Sequence, residues 1–305
     1  MRTFLVVNPR SGNGDTGRRW PDILGAACTS MGEVGSAFTE APLHAAELTA
    51  KALADGYECI VAVGGDGTLN EVVNGFFQVP GGPPARATLA VIPRGTGGDF
   101  RRTFGWSTSL RSACARIRAG QTRPLDVGRV SFLDAQGRPQ QRYFVNVVSF
   151  GVSGQVDKAV NQAGKGLGGK ATFFLASVKA MWRFHDQPVR LRADGGKWEA
   201  LNITTVAVAN GQYFGGGMRV APTADPSDGY FDVTVWSGYT LADFALKSRR
   251  IYDGTHVELA GTRTFRAHLL EAESEEEVLL DVDGEQPGRL PVRVELLPAA
   301  LRLQG

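Results

Sequence analysis

The chain has 305 residues, 43% of them hydrophobic, which is enough to bury a core in each of two domains. Its 33 basic and 31 acidic side chains leave a net charge of +2, which argues against a bulk nucleic-acid binder. Cys28, Cys59 and Cys114 are far apart with no Cys-x-x-Cys spacing, so disulfides and a thiolate zinc site are not expected and a reducing compartment suits the chain.

Met1-Arg2-Thr3-Phe4 enters a strand at once, without a signal-peptide pattern, and no apolar run approaches the length that spans a bilayer. The expectation is a cytoplasmic protein, with peripheral contact at the inner membrane face left open. Residues 4–7 form a short apolar strand, followed by the loop Asn8-Pro9-Arg10-Ser11-Gly12-Asn13-Gly14. A helix over 20–31, a strand over 34–38 and a helix over 43–55 lead to a continuous apolar run at 59–63, the pattern of a parallel strand buried on both faces.

The next segment, Gly64-Gly65-Asp66-Gly67-Thr68-Leu69-Asn70-Glu71, is the most informative in the chain. Its glycines allow a sharp turn and expose bare N–H groups. Thr68 and Glu71 have capping-box spacing, which predicts a helix starting at Thr68. Strand, glycine turn and helix N-terminus together make an anion site suited to phosphate. Asp66 would repel such a ligand unless a cation intervened, so the simplest reading is Mg²⁺ bridging Asp66, directly or through water, to a nucleotide. A strand over 89–92 ends in Pro93-Arg94-Gly95-Thr96-Gly97-Gly98-Asp99-Phe100, and a helix covers 110–119. Alternating strands and helices imply a parallel α/β sheet, with the glycine loops after residues 7, 63 and 92 gathered at its carboxyl edge.

After Arg123-Pro124 the pattern turns to strands: 127–133, 142–150, 189–193, 201–210, 231–236, 264–270, 278–282 and 292–296. Two helices stand out, over 170–184 and 241–252. The domain boundary is expected near Pro124. Two motif matches fail. Gly12, Gly14 and Gly17 fit the dinucleotide spacing, but Asn8-Pro9-Arg10-Ser11 separates them from the strand. Residues 164–171 nearly fit a P-loop, but Ala171 stands where a hydroxyl would hold Mg²⁺ and no apolar strand precedes it. Arg101, Arg102, Arg111, Arg116 and Arg118 lie between Arg94 and Arg123 with Asp99 as the sole acid, either as solvated surface or to meet phosphates or anionic lipid. Phe173, Phe174, Val178, Met181 and Trp182 form an apolar helical stripe, read first as core and second as a surface for acyl chains.

With residues 8–12 and 64–71 in hand, a later run completes a resemblance. Gly211-Gln212-Tyr213-Phe214-Gly215-Gly216-Gly217-Met218-Arg219-Val220-Ala221-Pro222 continues through Thr223-Ala224-Asp225-Pro226-Ser227-Asp228-Gly229-Tyr230-Phe231-Asp232, and Asp283-Gly284-Glu285 follows. Over nearly its whole length the chain resembles the diacylglycerol kinase catalytic family, which includes sphingosine and ceramide kinases and soluble bacterial lipid kinases. The resemblance implies a Rossmann-like first domain over 1–124, a β-sandwich second domain over 125–290, and a chain end at 291–305 that returns to the first. This is an NAD kinase/diacylglycerol kinase-like fold. It implies ATP contacts from Asn8, Pro9, Arg10, Ser11, Gly12, Thr39, Gly65, Asp66, Gly67, Thr68, Leu69, Asn70, Glu71 and Thr96. It also implies Mg²⁺ near Asp225, Asp228 and Tyr230, the last through its carbonyl, and Glu285 as proton acceptor. The residues alone do not decide between Asp283 and Glu285, and Asp-Gly is also an ordinary polar turn. One departure is Gly98, where the family pattern has an asparagine. The implied activity is ATP- and Mg²⁺-dependent phosphorylation of a lipid hydroxyl, such as that of diacylglycerol, at a membrane surface, with no nucleic-acid partner and a homodimer left open. The alternatives are a kinase of a soluble alcohol or of NAD, and a protein that binds ATP without turnover.

Overall fold

The computed structural model describes residues 1–154 and 185–305. The helix expected over 170–184, with its apolar stripe, and the glycine run at 164–171 lie outside the described residues. The chain divides into two compact units, Met1–Val127 with Pro298–Gly305, and Gly128–Leu297.

The first unit is built on a parallel sheet. Strand β1 (Thr3–Val7) is central to β2 (Val34–Phe38) and β3 (Cys59–Gly64), and β3 pairs with β4 (Thr88–Pro93). All of β3 and β4 is buried, as their unbroken apolar runs require. The crossovers are α1 (Asp15–Arg18), α2 (Trp20–Met31), α3 (His44–Ala54) and α4 (Asp66–Phe76), followed by α5 (Asp99–Thr103) and α6 (Leu110–Ala119). Ile23 and Ala27 of α2 and Ala113, Cys114 and Ile117 of α6 pack with β1, β3 and β4 in one apolar cluster. A chain-terminal segment also joins this sheet through Leu303, which pairs in parallel with Leu89.

Helix α4 starts two residues before the expected Thr68, with Gly65 as an N-cap in extended geometry and no side-chain cap. The capping box fails because both of its members have other partners. Thr68 Oγ1 accepts from Asn8 Nδ2, and Glu71 Oε2 accepts from the N–H of Ala45 in the first turn of α3. The shift depends on Gly64: a Cβ there would lie 2.4 Å from Thr68 Oγ1.

The second unit is a sandwich of antiparallel strands. One of its sheets runs β12 (Thr262–Ala267), β11 (Phe231–Trp236), β10 (Thr205–Ala209), β7 (Val147–Gly151), β14 (Leu280–Val282). Opposite it, β13 (Leu269–Glu273) lies between β15 (Arg289–Gln304) and β8 (Gln187–Ala193), and β8 pairs with β9 (Glu199–Ile203). Strand β5 (Thr122–Leu133) forms a hairpin with β6 (Pro139–Phe144). Both layers feed one core that includes Phe132, Phe144, Phe150, Val208, Phe231, Leu270, Val282 and Val294. Helix α7 (Leu241–Asp253) opens with the Thr240–Asp243 capping box.

Three long strands expected from the sequence are broken. The run at 142–150 divides at Val145-Asn146, that at 201–210 at Thr204, and that at 264–270 at His268. The two units divide after Val127, within β5, which runs through Pro124 without a linker. Among the described residues no helix is long and apolar enough to cross a membrane.

Candidate functional site

In the first unit the three glycine loops meet backbone to backbone. The N–H of Arg94 donates to the carbonyl of Gly64 at 2.7 Å, which carries the β3–β4 pairing one step past the strand ends. A Cβ on Gly95 would then lie 2.5 Å from the Cα of Gly65, and one on Gly12 would lie 2.7 Å from the carbonyl oxygen of Arg94. Gly12 is also left-handed, with φ 60°. Only glycine permits these approaches. Asn8 ties the first loop to the second: its N–H donates to Val63 O at 3.0 Å, and its side-chain amide donates to Thr68 Oγ1 at 3.0 Å. Ser11 Oγ closes the first loop by donating to Asn8 O, and the N–H of Thr39 donates to Val7 O at the end of β2. The first-turn N–H groups of α4 have no partner within their own helix, so the assembled edge presents donors and a positive helix end where an anion would be held.

Of the expected nucleotide contacts, the structure brings together Asn8, Pro9, Arg10, Ser11, Gly12, Gly65, Asp66, Gly67, Thr68 and Thr96 on these loops, with Arg10 and Thr96 exposed. The inner part of the run is committed elsewhere. Leu69 and Asn70 are buried, Asn70 accepts from Asn74 Nδ2, and Glu71 holds α3.

Asp66 has a definite structural role. Its carboxylate accepts the N–H groups of Gly98, Asp99 and Phe100 at 2.8, 3.0 and 3.3 Å, which caps α5 and fastens the third loop to the second. Three of the carboxylate's roughly four acceptor positions are thus occupied, and the expected Mg²⁺ contact, direct or through water, would use the remaining one. Gly98 adopts φ 68°, and the Arg101 side chain occupies the space beside its Cα. An asparagine tolerates that conformation, so the departure from the family pattern leaves the backbone path intact. Sequence reasoning did not single out the ion pairs that brace these loops, Arg94 with Asp15 and Arg102 with Asp99. For the first, the one visible signal is Arg94 placed between a buried strand and Gly95.

In the second unit, Asp283 (φ 49°) and Gly284 (φ 89°) are the two central residues of a tight hairpin, with both left-handed as a type I′ turn requires. Val282 and Glu285 exchange backbone hydrogen bonds across it. The Asp283 carboxylate accepts the N–H groups of Val145, Asn146 and Val147 at 3.2, 3.2 and 2.9 Å, and so stabilises the break between β6 and β7. Asp281 is buried and accepts from Gly284 N and Ser149 Oγ. Glu285 differs from both: its side chain is 49% exposed and pairs with Arg142 at 2.9 Å. Of the two carboxylates flanking Gly284, Asp283 is half-buried and Glu285 is exposed.

The long signature segment is held largely by its own polar contacts. Gln212 donates to Ala224 O, Arg219 donates to Gln212 Oε1 and Pro222 O, and Tyr213 O accepts from Asn146 Nδ2. Asp225 accepts from the N–H and hydroxyl of Ser227, and Asp228 accepts from the N–H of Tyr230. Asp228 also pairs with Arg266 at 3.0 Å, and the same guanidinium lies 3.5 Å from the buried Asp232. Burial raises the Asp232 carboxyl above the usual carboxylate range, against the opposing Thr223 hydrogen bond and Arg266 charge. Among the described residues no three His, Cys, Asp or Glu side chains gather as a metal set. The expected Mg²⁺ contacts at Asp225, Asp228 and the Tyr230 carbonyl are a set of another kind, two carboxylates and a carbonyl, and Asp228 carries the Arg266 ion pair there.

Comparison with known proteins places both units in one family. Residues 2–130 match the diacylglycerol kinase catalytic domain, and residues 146–305 match the YegS C-terminal NAD kinase beta sandwich-like domain. A diacylglycerol kinase of Mycobacterium tuberculosis is 31% identical over 260 residues, 85% of this chain and 80% of that one. One from Staphylococcus saprophyticus is 28% identical over 292 residues, 95% and 90% of the two chains. A solved structure from Bacillus anthracis superposes with a TM-score of 0.77 at 25% identity, covering 99% of this chain and 96% of that one. Another, titled a diacylglycerol kinase of the same organism, gives 0.72 at 23% identity over the same coverage and supports the fold. With both halves matched in order along almost its full length, the chain belongs to the diacylglycerol kinase catalytic family, a family of kinases that act on an alcohol group.

Proposed function

We propose that the protein transfers the γ-phosphate of MgATP to a hydroxyl of a lipid such as diacylglycerol, in peripheral contact with a membrane face. The observation that carries this reading is the backbone-to-backbone seating of Gly65 on Gly95 beside the N-terminus of α4. A turn built only to reverse the chain does not need two other loops pressed against it. A site for phosphates does, because the N–H groups have to be fixed before the ligand arrives.

Phosphoryl transfer asks the protein chiefly for positioning and charge neutralisation. The loops at 8–12, 64–68 and 94–98 would align the phosphates through backbone donors. Asp66 contributes by holding the third loop in place through three N–H groups. The magnesium that accompanies ATP would neutralise phosphate charge when bound. An alcohol is a weak nucleophile at neutral pH, so we assign Glu285 to take the acceptor's proton on its carboxylate as the oxygen attacks, with Arg142 fixing its orientation. Asp283 is a positioning residue, since its oxygens are already occupied by amides.

The test is an acceptor screen with γ-labelled ATP, offering diacylglycerol and sphingosine in vesicles beside glycerol and NAD in solution. Label recovered in a lipid-extractable product supports the reading. Label recovered only in a soluble product would move the acceptor to that class, and hydrolysis without any transfer would overturn the assignment.

A further inference from the structure

The groove between α2 and α6 in the first unit has a chemistry that the glycine loops do not use. It forms an open cavity of about 660 Å³ whose wall carries Arg19, Arg94, Arg111 and Arg118 and, among the described residues, no carboxylate. Arg111 and Arg118 stand seven residues apart on α6, two helical turns, and so share one face. Both are exposed, and among the described residues neither has an ion-pair or hydrogen-bond partner. Arg19, at the N-cap of α2, has only a long pairing to Asp22 at 3.7 Å. Arg94 pairs with Asp15, yet its buried Nε has no acceptor among the described residues. The floor between the arginines is small and weakly polar, made by Ala26, Cys114 and Ala115, with hydroxyls of Thr29 and Ser30 along one side.

Four guanidiniums around one concavity repel each other, and a concave wall concentrates their field on whatever anion enters. The guanidinium fork matches phosphate oxygens in pairs. A cavity of this size also exceeds a bare phosphate and leaves room over the apolar floor for an organic portion. We propose that the α2–α6 cavity is a second anion site, adjoining the third glycine loop at Arg94, that binds a phosphate ester through Arg111, Arg118 and Arg94. The ester comes either from a soluble metabolite or from a lipid headgroup. Because Arg94 lies one residue before Gly95, a ligand there competes with Asp15 for Arg94 and reaches the third glycine loop directly.

The experiment measures binding of two probes to the wild-type chain, with and without saturating ATP. Glycerol 3-phosphate is titrated by calorimetry, and phosphatidylcholine vesicles containing phosphatidate are tested by co-sedimentation against pure phosphatidylcholine. The variants are the double substitution Arg111→Ala with Arg118→Ala, on exposed positions, and Arg86→Ala as an exposed arginine outside the cavity. The double variant should bind whichever phosphate probe the wild type binds on the order of 10²-fold more weakly, roughly tenfold for each charged contact removed, with ATP affinity unchanged. Arg86→Ala should behave as wild type. Binding of glycerol 3-phosphate assigns a soluble ester, and binding of phosphatidate vesicles alone assigns a headgroup; either supports the site. No binding of either probe by the wild type, undiminished binding in the double variant, or an equal loss in Arg86→Ala overturns it. A parallel loss of ATP affinity in the double variant also overturns it, by merging the cavity with the nucleotide site.

Discussion

Replacing Gly95 with alanine would test the loop assembly at its tightest point. The new Cβ would sit 2.5 Å from the Cα of Gly65, where ordinary contact begins near 3.4 Å. The obstacle is backbone, so no rotamer change relieves it, and the two loops have to part by about 0.9 Å. Forcing a methyl into such a contact costs about 1–3 kcal/mol of stability. A displacement near 1 Å in a positioned site costs about 10²-fold in function. The reciprocal variant Gly65→Ala places its Cβ 3.2 Å from Gly95 Cα, a contact relieved by a few tenths of an ångström, so its effect should be several-fold smaller. Gly25→Ala, on α2 with nothing within 4 Å, is the control and should stabilise the chain by roughly 0.5–1 kcal/mol through helix propensity. Denaturant unfolding and ATP titration of the three variants give the order directly. Wild-type stability and ATP affinity in Gly95→Ala, or a larger defect in Gly65→Ala, would refute the contact argument.

Asp66→Ala should free the Gly98, Asp99 and Phe100 amides, cost about 1–2 kcal/mol, and abolish turnover; unchanged hydrogen-exchange protection of those amides would contradict it. Glu285→Gln should lower turnover by roughly 10²–10⁴ while leaving stability near wild type, and normal turnover would remove it as the base. Asp283→Asn should lose about 1–3 kcal/mol, because one carbonyl oxygen replaces two acceptors for three amides, and an unfolding midpoint equal to wild type would count against that role. His256 is buried between the carbonyls of Arg250 and Val220, and burial outweighs those hydrogen bonds to hold its pKa below the ordinary 6.5. Its stabilising contribution is therefore complete above pH 6.5 and declines as pH falls through and below that value, toward the folded-state pKa. His256→Gln should flatten this decline in unfolding free energy between neutral and mildly acidic pH, and an unchanged slope would disprove the assignment.

The strand, turn and helix at 59–76 were legible because each rests on local physics: an apolar run, glycines at the turn, and a helix that follows. The start of α4 was misplaced because Thr68 and Glu71 bond across the fold to Asn8 and Ala45, and no window around residue 68 contains either partner. The same reason hides the break at Val145-Asn146. That break is held by Asp283, more than a hundred residues later, while the local sequence at 142–150 reads as one strand. Asp283 and Glu285 look equivalent in the sequence. Only the left-handed turn separates them, directing one carboxylate to backbone amides and the other to Arg142. Arg94 and Asp15 lie far apart in the chain and carry no shared motif, so their pairing emerges only when the loops are assembled.

In the proposed mechanism, backbone N–H groups of three loops hold the phosphates of ATP. Amide hydrogen exchange with and without MgATP measures it directly. Exchange should slow in the first unit only at residues 12–13, 65–68 and 95–97, with the rest of its sheet unchanged. ATP binding that leaves those amides exchanging at their free rates would contradict it.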